Sequence, residues 1–136
     1  MAEGWTNRNA PSIEDIERLA QDALEGLPGM FAQQARLLRI CVLDFPSEDI
    51  LESVGLSDGF ELTGYYEGVP LTEKSISEQP LAPDSVWLFR RPILDEWVER
   101  GNVRLGELVT HIIVHEIAHH FGWSDDDIAR IDKWWE

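Results

Sequence analysis

The chain has little cysteine, few cations and no long apolar run. Cys41 is the single cysteine among 136 residues, so an internal disulfide is impossible and a reducing, cytoplasmic compartment is expected. Eleven Lys and Arg stand against 26 Asp and Glu, a formal net charge of −15. Nucleic-acid binding needs clustered cations against phosphates, so no nucleic-acid partner is expected. The same deficit argues against an anionic membrane surface. No apolar run approaches the ~20 residues that span a bilayer. The opening Met1-Ala2-Glu3-Gly4-Trp5 has no basic and then apolar stretch, so no signal peptide is expected. Histidine is also scarce: there are four, and all lie between residues 111 and 120.

What is present is enough for a core. The residues are 43% hydrophobic and 10% aromatic, which excludes a disordered acidic tail. The length suits one domain. Residues 1–11 are polar and read as a flexible segment, and residues 12–136 read as a single domain. The acidic residues are spread over both halves, and no repeat is visible.

Apolar spacing predicts the elements. Ser12 opens a helix with capping-box spacing to Asp15, and Ile13, Ile16, Leu19, Ala20, Ala23, Leu24 and Leu27 make its apolar stripe. Gly26, Pro28 and Gly29 stop it. Leu37 to Phe45 reads as a strand apolar enough to be central. Ser47 caps a short helix over 47–54, closed by Gly55. Glu61 to Tyr66 and Val69 to Leu71 flank Glu67-Gly68 as a hairpin, followed by a loop over 72–84. Val86 to Arg90 is the last strong strand. Pro92 sits in the first turn of a helix that Gly101-Asn102 breaks. Asn102 caps the longest helix, 103–121, which Gly122 ends, and Ser124 caps a final one. Helices and short strands mix without regular alternation, so the fold class is α+β.

The informative segment is His115-Glu116-Ile117-Ala118-His119-His120-Phe121-Gly122-Trp123-Ser124-Asp125. Helical residues four apart sit ~40° apart around the axis, so His115 and His119 share a face and can reach one ion. Glu116 beside them suits a general base towards metal-bound water. A catalytic zinc usually takes three protein ligands and keeps one open position. Gly122 lets the chain turn back, and the spacing favours Asp125 as the third ligand. Asp126 and Asp127 compete with it, and all three acids also suit the first turn of a helix.

The string HExxHxxGxxD resembles the zincin metallopeptidases. It is similar to the metzincin pattern, with Asp125 where histidine is usual. However, the only methionines are Met1 and Met30, so no methionine turn follows the site. A closer resemblance is to the small acidic zincin-like metallopeptidases of bacteria, the minimal zincins. It spans roughly residues 12–133 and includes Phe45-Pro46-Ser47, Gly64-Tyr65-Tyr66-Glu67-Gly68-Val69-Pro70-Leu71, Pro83-Asp84, Leu88-Phe89-Arg90-Arg91-Pro92, and His115 to Ile128. The resemblance implies a zincin-like fold, with a small mixed sheet packed against a site helix and flanking helices. It also implies peptidase activity and one zinc ion, but it names no substrate.

Each candidate has a plainer alternative. His115 and His119 could be a buried pair satisfied by backbone and solvent. Glu116 could be an exposed helix residue or an ion-pair partner of Arg104. His111, one turn before His115, reads as a histidine that supports the ligands by hydrogen bonding, or as a donor to the transition state. His120 points about 100° away from His119 and reads as packed or as a histidine that supports the ligands by hydrogen bonding. Tyr65 or Tyr66 could donate to an oxyanion, although half-buried strand tyrosines are commoner. Val86, Trp87, Leu88, Phe89 and Arg90 could form the sheet edge that holds extended peptide, or plain core sheet. Two functions follow. One is a zinc-dependent peptidase acting on peptide or protein, with the acidic surface favouring cationic substrates. The other is a non-catalytic, metal-stabilised acidic module that binds a protein partner.

Overall fold

A computed structural model describes residues 10–27, 29–68 and 84–120. The elements in chain order are α1 (Ile13–Glu25), α2 (Gly29–Ala35), β1 (Arg39–Leu43), α3 (Glu48–Ser53), a 3-10 turn (Gly59–Glu61), β2 (Gly64–Glu67), β3 (Ser85–Phe89), α4 (Arg90–Arg100) and α5 (Leu105–His120). The mixture is α+β, as expected.

Local chemistry sets most boundaries. The Ser12 hydroxyl accepts from the Asp15 amide at 3.1 Å, and the Asp15 carboxylate accepts from the Ser12 amide at 2.9 Å. This reciprocal pair satisfies two amides that the first turn of α1 would leave bare. Ser47 caps α3 by accepting from the Ile50 amide. Gly101 ends α4 in the left-handed region, at φ 72°. The Trp97 indole donates to the Val103 carbonyl at 3.0 Å, which fixes the turn from α4 into α5. That turn corrects one expectation. Asn102 is not the cap: α5 begins at Leu105, and Leu108 donates to the Arg104 carbonyl. Helix α2 has no counterpart in the sequence reading.

Among the described residues the sheet has three strands in the order β1-β3-β2. β1 runs parallel to β3, and β2 runs antiparallel to it. Two strand expectations are therefore corrected. Leu37 to Phe45 is not central: β1 is an edge strand, and Val42 is its only buried residue. Val86 to Phe89 is not an edge either. β3 pairs on both sides and is buried along almost its whole length, because its near-continuous apolar run suits a doubly covered strand. Arg90 leaves the sheet and starts α4.

The register places Ile40 and Val42, Val86 and Leu88, and Gly64 and Tyr66 on one face. That face packs on α1 and α5. The core joins Ile16, Ala20, Val42, Val86, Leu88, Val109, Ile113 and Ile117. At the end of β1, the Arg90 guanidinium pairs with Asp44 at 3.1 Å and also donates to the Pro11 carbonyl. The lead-in to α1 is thus tied to the start of α4. No helix among the described residues is long and apolar enough to cross a membrane.

Candidate metal centre

α5 is buried on most sides. Leu105, Leu108, Val109, Ile112, Ile113, Val114, Ile117 and Ala118 are all core. Glu107, His111, His115 and His119, each four residues from the next, are accessible, as are Gly106 and Thr110 near the start of the helix. The helix therefore turns His111, His115 and His119 outward on one line and its aliphatic residues inward.

His115 and His119 converge as their spacing predicts. Their Nε2 atoms are 3.3 Å apart, and the rings meet edge-on at 78°, with centroids 4.9 Å apart. Two nitrogens held at ~2.05 Å on a tetrahedral ion stand about 3.3–3.4 Å apart. The separation of the donor pair therefore matches that of two ligands on one zinc ion. Among the described residues no third side chain completes a metal-holding group. Asp125, Asp126 and Asp127 lie outside the described residues, as do Gly122, the helix from Ser124 and the side chain of His120.

Glu116 is buried, with 8% of its surface exposed. This excludes the exposed-helix reading. It also excludes the pairing with Arg104, which lies exposed just before the first turn of the same helix, three turns away. Carboxylates are rarely buried unless partners hold them. The cover over Glu116 is β2. A Cβ built on Gly64 would stand 3.4 Å from Glu116 Cγ, 3.5 Å from Glu116 Oε2 and 2.7 Å from Ile112 Cγ2. The strand backbone thus lies directly on the helix at the base candidate. The sequence reading noted Gly64 only within a motif. Its signal is a glycine ahead of two strand tyrosines.

β2 is also the edge strand that the sequence reading placed at β3. The Phe89 amide donates to the Thr63 carbonyl at 3.0 Å. These residues face each other in the continued register, so Thr63, Tyr65 and Glu67 direct their backbone groups to β3. Gly64 and Tyr66 direct theirs to the other side of β2. The second strand of the expected hairpin, Val69 to Leu71, lies outside the described residues.

Tyr66 has a structural partner. Its hydroxyl donates to Asp84 Oδ2 at 2.8 Å. Burial, with the Asp84 carboxylate beside it, pushes the phenol well above the usual tyrosine range. Asp84 is itself buried, and it closes against Gly68, where a Cβ would strike its carboxylate. Tyr66 thus pins Asp84 across the sheet. Tyr65 lies on the opposite face, opposite Trp87.

Residues 35–135 match the zincin-like metallopeptidase family. The chain belongs to that family. No curated protein matches the chain.

Proposed function

We propose that the protein is a zinc-dependent peptidase. His115 and His119 hold one zinc ion with Asp125 as third ligand, and Glu116 is the general base. The observation that carries this reading is the 3.3 Å separation of the two histidine nitrogens, next to a buried carboxylate on the same helix. When bound, zinc supplies Lewis-acid polarisation of a carbonyl and acidifies water. Glu116 takes the proton of the attacking water and hands it to the leaving amine. The Gly64 backbone, turned away from β3 beside Glu116, suits main-chain hydrogen bonds to an extended peptide, which would carry the scissile bond past Glu116. The charge of −15 favours cationic peptides as substrates and disfavours nucleic acids and anionic membranes as partners.

The test uses the zinc-loaded protein and a diverse set of unstructured peptides. Cleavage should stop on chelation, return with zinc, and run faster on cationic peptides than on acidic ones. X-ray absorption at the zinc edge should show three protein ligands and one exchangeable position. Four protein ligands and no cleavage would leave a closed structural site, the mark of an interaction module.

A further inference from the structure

The position of the proposed base depends on a side chain that is missing. β2 crosses α5 at Ile112 and Glu116, which lie one turn apart on the same face of the helix. The crossing residue is Gly64, buried with its backbone against both. A Cβ there would overlap Ile112 Cγ2 at 2.7 Å, so the strand or that side chain must move. It would stand in ordinary van der Waals contact with Glu116 Cγ and Oε2, at 3.4 and 3.5 Å, so the carboxylate is reached through the strand shift that Ile112 forces. Gly64 directs its amide and carbonyl to the side of β2 away from β3. A peptide hydrogen-bonded there would therefore be set against the same point of the helix as the carboxylate.

The geometry points to Gly64 as a positioning residue for Glu116: its bare backbone is the wall that sets where the carboxylate rests. This inference rests on the peptidase reading, in which Glu116 is the base. Interiors are close-packed, so a methyl group at this wall displaces its neighbours rather than a void. Misplacing a reacting group by about 1 Å can cost on the order of 100-fold in rate. The overlap is with Ile112, and the carboxylate moves only as the strand beside it moves, so clearing Ile112 undoes the displacement.

The experiment compares zinc-loaded wild type, Gly64→Ala, Ile112→Ala and the double variant. Three readouts are taken: zinc per chain, kcat and KM on a cleaved peptide, and the 13C resonance of the Glu116 carboxyl carbon. That resonance is assigned by its disappearance in Glu116→Gln. Gly64→Ala should keep its zinc and a near-native KM, lose about 10- to 100-fold in kcat, and shift the Glu116 resonance. Ile112→Ala clears the 2.7 Å overlap, so the double variant should fold even if Gly64→Ala does not. With the overlap gone, its kcat and its Glu116 resonance should return to those of Ile112→Ala alone.

A folded Gly64→Ala with native kcat and an unmoved resonance overturns the inference. So does a double variant that stays well below the Ile112→Ala rate with an unmoved resonance, because the loss would then not run through the position of the carboxylate. If wild type cleaves nothing, the peptidase reading fails. The resonance still decides whether Gly64 positions the carboxylate.

Discussion

Helices α1 and α5 pack against the same face of the sheet, yet they place their polar groups in opposite ways. On α1, Ile16, Ala20 and Ala23 are buried, and Glu14, Glu17, Arg18 and Asp22 stand in water. Nothing there is placed against the hydrophobic effect. On α5, Glu116 is buried with Ile112, Ile113 and Ile117 around it in sequence, and His111, His115 and His119 share one accessible line. An aliphatic residue at 116 would suit that core better than a carboxylate. α1 thus follows the hydrophobic effect, whereas α5 keeps a carboxylate in its core where an aliphatic residue would pack better. Substitutions on the two helices should separate along that line.

The largest effect is expected on α5. His115→Ala or His119→Ala should weaken zinc binding by more than about 100-fold, since even residues that only support a ligand are worth 10- to 100-fold. Elemental analysis after dialysis measures this, and either variant retaining stoichiometric zinc would break the contrast. Next comes Ile16→Ala on α1. Ile16 is fully buried, and the truncation should cost about 2–5 kcal/mol in urea unfolding. The folded fraction should still bind zinc normally.

Tyr66→Phe tests the strand between the two helices. Losing the hydroxyl that donates to Asp84 should cost about 1–2 kcal/mol. It also changes the alkaline limb of stability. The folded phenol ionises well above its unfolded value of about 10. Its contribution is therefore complete below pH ~10 and is lost as pH rises through the folded value. Wild type should lose stability above pH ~10 more steeply than Tyr66→Phe, as followed by denaturant midpoints across that range. The smallest effect is expected at the start of α1, where Ser12→Ala removes the cap and should cost about 1 kcal/mol.

The sequence was legible wherever a local rule decides the outcome. The Ser12–Asp15 capping box, the Ser47 cap and the Gly101 stop depend only on neighbours in the chain, and each stands where its residues predict. The convergence of His115 and His119 is equally local, because helical geometry alone brings residues four apart together. Strand order was not legible. Leu37 to Phe45 and Val86 to Phe89 are both apolar runs, and only pairing between distant segments decides which is central. The cover over Glu116 was hidden for the same reason. Gly64 lies 52 positions before Glu116, and no periodicity announces that they touch. Asn102 failed as a cap because the Trp97 indole bond to Val103 carries the chain further before α5 begins.

The central claim is that Glu116 does chemistry and does not merely fill the core. The direct measurement is peptide hydrolysis by zinc-loaded wild type and zinc-loaded Glu116→Gln, side by side, with zinc content measured in both. Glutamine keeps the size and shape of the side chain but exchanges one acceptor oxygen for an amide donor and cannot accept the proton. The expected result is equal zinc and a loss of about 100- to 10,000-fold in kcat. Equal cleavage by the two proteins, or cleavage by neither, would contradict it.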